Sequence, residues 1–378
     1  MKLIITLAAL ALLGSFATKS HTIDSLRSVN ALDLRVINKG WTDTSGPYQR
    51  LPAFMQDSVR PNLWERSQCS SGIGVRFATN STTIGVRYTL KWNTHMVHMA
   101  DTGLKGTDLY IYDGSADFPG DSGWRHVNTN RPHSSEGSAT NEAIYVENMD
   151  TTMKEFLINL PLYDGVERLE VLVDSGAVVT TGDSALIDPR LKIVAYGTSI
   201  LQGGCASRPG MASTNILSRR LNCEVVNIGI SGEGKMDFPM ARLLATVDDA
   251  DMFLIDPVPN CTEMQCDTLT YDFIKILRSL RPDIPIVMLE GPMYPYSRYN
   301  SFYGNYLPRK NAAFRRNYER LKAENPANLY YVDSVNLDGV EDDGTVDGIH
   351  LTDLGFKYYA DKLYPVLKPL LTDRQSRR

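Results

Sequence analysis

Apolar residues fall into two rhythms along the chain. From about Ile23 to Ala185 they come in short alternating runs, Ile73 to Phe77, Thr83 to Tyr88, Asp108 to Tyr112, Ala143 to Val146, Phe156 to Leu160 and Leu169 to Val173, separated by clusters of Gly, Asn, Asp and Ser. Alternation with period two buries one face of a strand and wets the other, so this half is predicted to be an antiparallel β-sandwich with no competing helical period. After Asp188 solid apolar strands follow, at Leu191 to Tyr196, Glu224 to Ile228, Met252 to Ile255, Ile284 to Leu289 and Leu329 to Val332. They alternate with helical patterns near Ala212 to Leu221, Phe238 to Thr246, Leu269 to Leu280, Lys310 to Ala323 and Leu354 to Leu371. A strand buried on both faces and followed by a helix, about every 30 residues, predicts βα units around a parallel sheet. Two domains are expected, 23–186 and 187–378.

Composition narrows the class. With 43% hydrophobic and 22% charged residues over 378 positions the chain can bury a core, which excludes disordered and collagen-like classes. Basic residues number 39 against 44 acidic, and no basic block occurs, so nucleic acid is not an expected partner. Lys2, the apolar run Leu3 to Leu13 and then Ser15-Phe16-Ala17 read as an export signal over residues 1–17. That run is too short for a bilayer span, which takes about 20 residues, and no later segment qualifies. The expected location is therefore secreted or periplasmic. Cys69, Cys205, Cys223, Cys261 and Cys266 contain no C-x-x-C pair, so no zinc site is indicated; Cys261 with Cys266 is the best local disulfide, and free buried thiols fit equally well.

In an open parallel sheet, ligands collect where strands end and helices begin. The first strand runs into Gly197-Thr198-Ser199, which puts a hydroxyl at a helix N-terminus, where developing negative charge is stabilised. Ser199 is the candidate nucleophile. The second strand ends in Asn227-Ile228-Gly229-Ile230-Ser231-Gly232, and the third in Asp256-Pro257-Val258-Pro259-Asn260. A glycine N–H and a proline-stiffened amide suit an oxyanion hole, so Gly232 and Asn260 are candidates, with the Ser199 N–H beside them. Asp347 precedes His350 by three residues ahead of the last helix, offering a base and a carboxylate to orient it. His21, His95, His98, His126 and His133 all precede the βα half, which leaves His350 as its only histidine. Gly182-Asp183-Ser184 is a decoy, because too few residues separate Ser184 from the next strand for a crossover helix.

Gly-x-Ser, then Asn-x-Gly-x-Ser-Gly, then a Pro-Asn loop, then Asp-x-x-His before the terminal helix, in this order over some 190 residues, resembles the SGNH (GDSL-type) hydrolase family. The resemblance implies a flavodoxin-like α/β/α domain and catalysis by Ser199, Gly232, Asn260 and His350, with Asp347 completing a triad. The preceding sandwich makes the whole similar to bacterial carbohydrate esterases. Two positions depart from the family pattern: Thr198 stands where the family has Asp, and Cys261 where an Asp follows the Asn. Neither replaces the nucleophile, base or oxyanion donor.

The expected activity is that of an exported serine esterase removing O-acyl groups, most simply O-acetyl, from a polysaccharide or oligosaccharide, without metal or cofactor. Lipid or thioester acylhydrolysis and a catalytically impaired carbohydrate-binding protein are the alternatives. Tyr294, Tyr299 and Tyr303, in the loop after the fourth strand, are candidate sugar contacts or a loop packed on its neighbour. Arg208 would bind an anionic group or pair with a carboxylate. His95, His98 and Asp101 look like metal ligands, but i and i+3 side chains of extended chain point apart. Asn260 also lies in Asn-Cys-Thr, a glycosylation acceptor whose glycan would obstruct the oxyanion hole, which favours a bacterial source.

Overall fold

The computed structural model describes residues 22–376 apart from 119 and 184; the export segment and Ser184 lie outside the described residues. Ten strands precede residue 181: β1 (Arg27–Asn30), β2 (Arg35–Ile37), β3 (Gly74–Thr79), β4 (Ile84–Leu90), β5 (Asp108–Tyr112), β6 (Trp124–Thr129), β7 (Thr140–Val146), β8 (Lys154–Asn159), β9 (Val166–Val173) and β10 (Val179–Thr180). They form two antiparallel sheets, ordered β1-β9-β4-β7 and β10-β3-β8-β5-β6, with β2 on β3. Val75, Phe77, Val86, Tyr88, Phe156, Ile158, Leu169 and Val171 fill the space between them, the outcome that period-two alternation implies.

The six predicted strands of this half all form. The short strands β1, β2 and β10 escaped the pattern, as did the edge strand β6, together with two helices, α1 (Pro61–Ser67) and α2 (Asp101–Leu104), where no helix was expected. Neither helix exceeds two turns, so neither can print a helical period on the sequence. Pro61 opens α1, where its missing N–H costs nothing.

The second half is a five-stranded parallel sheet ordered β12-β11-β13-β14-β15, from β11 (Asp188–Gly197), β12 (Cys223–Gly229), β13 (Met252–Asp256), β14 (Ile286–Leu289) and β15 (Leu329–Val332). Helices α3 (Ser199–Gln202), α4 (Ser213–Leu221), α5 (Phe238–Leu244), α6 (Glu263–Thr268), α7 (Thr270–Leu280), α8 (Ser301–Glu324) and α9 (Asp353–Ser376) connect and cover it. Helix α8 begins nine residues earlier than the pattern suggested, because the Asn300 side chain accepts from the Phe302 and Tyr303 N–H groups and caps it. Pro308 lies inside it near the start.

Both faces of this sheet are buried, and both receive residues from the first half. Val194, Tyr196, Phe253 and Ile255 pack with Leu51, Met55 and Leu63; Ile193, Ala195, Met252 and Leu254 pack with Met99, Leu104, Leu162 and Tyr163. Residues 38–71 thus carry no sandwich strand, and Leu51, Met55 and Leu63 face the α/β half while Tyr48 joins the sandwich core. A second seam centres on Asp108, fully buried at the start of β5, which accepts from Gly210 N (2.7 Å), Arg208 Nη1 (3.2 Å) and Asn159 Nδ2 (2.8 Å).

Candidate active site

In this strand order the carboxyl ends of β11 and β13 flank the point where the chain reverses its direction of travel across the sheet, the place where ligands collect in open parallel sheets. Residue 199 starts α3 directly after β11. Thr198 caps that helix, its hydroxyl accepting from the Ile200 N–H at 3.4 Å, so a threonine does the capping work open to the aspartate it replaces. Ser199 is 6% exposed, and its Oγ lies 2.9 Å from His350 Nε2. The other ring nitrogen, Nδ1, lies 2.8 Å from Asp347 Oδ2. Asp347 Oδ1 accepts the backbone N–H groups of His350 (2.8 Å) and Ile349 (3.0 Å), which closes the loop on itself and fixes the carboxylate. Burial works to raise the Asp347 pKa, but the hydrogen bonds from His350 and Ile349 outweigh it, and the net direction is down. Asp347 is thereby held ionised next to the imidazole. A hydroxyl facing an imidazole that a carboxylate orients can deliver its proton as its oxygen attacks a carbonyl.

Gly232 and Asn260, the expected oxyanion donors, are held in place by their neighbours. Gly232 sits at φ +72°, in the left-handed region that favours glycine. The preceding residue is held at both of its backbone polar groups: Ser231 N–H donates to Gln202 Oε1 (2.8 Å), and Ser231 C=O, in the peptide that leads into Gly232, accepts from Arg66 Nη1 (2.8 Å). In a trans peptide the C=O and the next N–H point oppositely, so the Arg66 grip turns the Gly232 N–H away from Arg66. Asn260 Oδ1 accepts from Gly234 N at 3.3 Å, leaving its NH2 group as the free end. Cys261, in place of an aspartate, is buried with its Sγ 3.8 Å from Gly234 O. All five cysteines are free thiols, so the local disulfide is not formed.

Sequence reasoning missed the residues that do the holding. Arg66 lies in α1, and Arg50 is buried with its guanidinium on the carbonyls of Cys69 (2.9 Å), Arg66 (2.8 Å), Asn227 (3.3 Å) and Gly229. Tyr163 donates to Ser199 O at 3.2 Å. Nothing in a local pattern marks them, because each reaches across more than 30 residues. One signal was available: Gly106-Thr107-Asp108-Leu109-Tyr110, which carries the Asp108 seam.

The remaining candidates separate. Arg208 is engaged by Asp108 and by the Tyr110 hydroxyl, with its guanidinium 5.4 Å from the Tyr110 ring, so of its two expected roles the carboxylate pairing is the one seen. Tyr294 is 8% exposed and stacks obliquely on Tyr296 (5.7 Å), a support for the loop and not a contact surface, which corrects its expected role. Tyr299 is 89% exposed and Phe302 61%. Tyr303 packs edge-on against Tyr296 at 5.2 Å. Tyr296 reaches the triad loop: a Cβ on Gly348 would lie 2.9 Å from its Cδ1, and Asp347 helps burial and Tyr303 to raise its pKa. His95 pairs with Asp101 (2.8 Å), whereas His98 turns to His350.

Comparison with known proteins now bears on this geometry. A structure described as a GDSL-like lipase from Bacteroides ovatus is 33% identical, with 92% of this chain and 98% of that one covered and a TM-score of 0.83. The chain belongs to the GDSL-like hydrolase family. The GDSL-like lipase/acylhydrolase family model matches residues 190–368 of this hydrolase, and the model for the N-terminus of SGNH-type esterases, named for a GxDLY motif, matches residues 26–179. Two more distant structures share its fold. A salicylyl-acyltransferase from a tetracycline biosynthetic pathway is 17% identical (92% and 98% covered, TM-score 0.71). A family two carbohydrate esterase from Clostridium thermocellum, solved with cellohexaose, is 14% identical (89% and 99% covered, TM-score 0.58). No curated protein sequence matches significantly. This GDSL-like hydrolase is a serine ester hydrolase, and among its described residues no helix is long and apolar enough to cross a membrane.

Proposed function

We propose that this hydrolase removes O-acetyl groups from a polysaccharide or oligosaccharide outside the cytoplasm, with Ser199 as nucleophile, His350 as base and Asp347 as its orienting carboxylate. The observation that carries the reading is the unbroken hydrogen-bonded series Asp347–His350–Ser199 at the carboxyl edge, with an exposed aromatic loop beside it. His350 takes the Ser199 proton as Oγ attacks the ester carbonyl. The Ser199 and Gly232 N–H groups and the Asn260 amide take the oxyanion. The proton then passes from His350 to the leaving sugar hydroxyl, and water, deprotonated by the same imidazole, hydrolyses the acetyl-enzyme. The exposed rings of Tyr299 and Phe302 offer flat apolar area of the kind sugar rings stack on, and carbohydrate esterases share the fold. The N-terminal Lys2 and its apolar run support export.

Two measurements test this. A serine-directed phosphonate should label the wild type and not Ser199→Ala. Binding energy from sugar contacts remote from the ester should give acetylated glycans higher kcat/KM than aryl acetates, and Tyr299→Ala should narrow that gap. A preference for long acyl chains would overturn the glycan reading and move the enzyme to lipid esters.

A further inference from the structure

One cluster beside the site has donor chemistry that ester hydrolysis does not use. His98, Cys205 and His350 present ligand atoms that all lie within 4.8 Å of one another. They arrive from three separate segments: the loop between β4 and α2, the turn after α3, and the loop ahead of α9. The two imidazoles face each other with centroids 5.8 Å apart and planes at 44°. His98 is exposed, Cys205 buried and His350 half-buried.

Two imidazole nitrogens and one sulfur make the donor set of zinc and its borderline-soft neighbours; magnesium and calcium want oxygen. With metal–nitrogen bonds of about 2.0–2.1 Å and metal–sulfur of about 2.3 Å, tetrahedral ligand atoms stand roughly 3.3–3.8 Å apart. The cluster therefore needs a contraction of up to about 1 Å, and the exposed His98 side chain is free to rotate toward the other two ligands. His350 Nδ1 is taken by Asp347, so the nitrogen left for a metal is Nε2, the atom now facing Ser199 Oγ. A carboxylate on the far nitrogen of a ligating histidine is also the arrangement that orients such a ligand and raises its basicity.

We propose that His98, Cys205 and His350 form an inhibitory site for a zinc-class divalent cation, which silences the esterase by occupying the lone pair that would accept the serine proton. The inference rests on His350 being the base. On binding, the hydrated cation sheds the waters that these donors replace, two metal–nitrogen bonds and one metal–sulfur bond form, the hydrogen bond between His350 Nε2 and Ser199 Oγ breaks, the Cys205 thiol proton leaves to solvent, and nothing is oxidised or reduced. A chelator reverses the step and the sulfur regains its proton. Because His98 comes from the first half of the chain and the other two ligands from the second, the bound cation would bridge the halves across the mouth of the site.

The test uses the full chain freed of metal by chelator and dialysis. Cobalt(II) titration should give one equivalent bound with a thiolate-to-metal charge-transfer band, absent in Cys205→Ser. Zinc(II) should abolish aryl acetate hydrolysis and phosphonate labelling in step with occupancy, and a chelator should restore both. His98→Ala and Cys205→Ser should keep metal-free turnover within about twofold and weaken zinc inhibition by about tenfold or more. Magnesium should do nothing. Equal zinc sensitivity in both variants and wild type, or a cobalt spectrum indifferent to Cys205, would overturn the site. The cobalt titration needs no turnover, so its failure is distinct from a failure of the serine reading, which would show as absent labelling of the metal-free enzyme.

Discussion

The two halves of the chain contribute to one site in different currencies. The α/β half supplies the proposed reacting groups, Ser199, Gly232, Asn260 and the Asp347–His350 pair, all on the segments that follow strands or lead into helices. The first half supplies grips: Arg66 on the Ser231 carbonyl, Arg50 on the end of β12, Tyr163 on the Ser199 carbonyl. Reactive groups are confined to strand ends because backbone donors converge there, whereas a grip can come from anywhere that reaches. The contrast teaches that the catalytic unit of this hydrolase is larger than its α/β domain.

Four substitutions break or sharpen that contrast. In the α/β half, Asp347→Asn should cost about 10⁴-fold in kcat, the scale seen when a triad carboxylate no longer sets the histidine tautomer. A loss of only a few-fold would reduce the machinery to a Ser199–His350 dyad. Asn260→Ala should lower kcat by about 10²- to 10³-fold with an unchanged thermal midpoint, the effect of removing one oxyanion donor. Across the divide, Arg66→Met removes a charged hydrogen bond from an exposed position, so kcat should fall by about tenfold while KM and Tm hold, and Arg66→Lys should recover part of the loss. An effect on KM alone would make Arg66 a substrate contact and not a grip.

A separate effect is on stability, away from turnover. Asp256 is fully buried at the end of β13, accepts from Tyr359 OH at 2.6 Å on Oδ2 and leaves Oδ1 without a partner. Burial pushes its pKa up to about 8, only partly countered by Tyr359. A carboxyl raised in the folded state binds its proton more tightly there than in the unfolded chain, so its contribution is fully present below the ordinary carboxylate pKa. It is lost as pH rises toward 8, by about 1.4 kcal/mol per pH unit for one proton. Asp256→Asn should flatten that decline, and thermal melts between pH 5 and 8 read it directly.

What the sequence made legible follows the same divide. The βα alternation, six of the sandwich strands and the motif residues around Ser199 and His350 are local signals, and periods of two or about four residues carry the strands and helices. Helix α1 was invisible because seven residues hold too little period, and with it went Arg66. For Arg208 the sequence left an anionic ligand and a carboxylate partner both open; the partner, Asp108, lies 100 residues away, in a strand whose alternation says nothing of charge. Tyr294 and Tyr299 read alike as aromatic loop residues, and only packing makes one a buried support and the other an exposed surface.

The Asp108 seam bears on how such proteins can be recombined. One carboxylate engages β8 through Asn159 and the α/β half through Gly210 and Arg208, so it is a keyed joint with parts on both sides. Transplanting a foreign sandwich onto this α/β half preserves the joint only if the incoming piece brings an aspartate and a tyrosine at matching places in the corresponding strand. Without them Arg208 would be left as a stranded charge. The inheritable module is therefore the pair of halves together, and a breakpoint near residue 187 divides something that works as a single part.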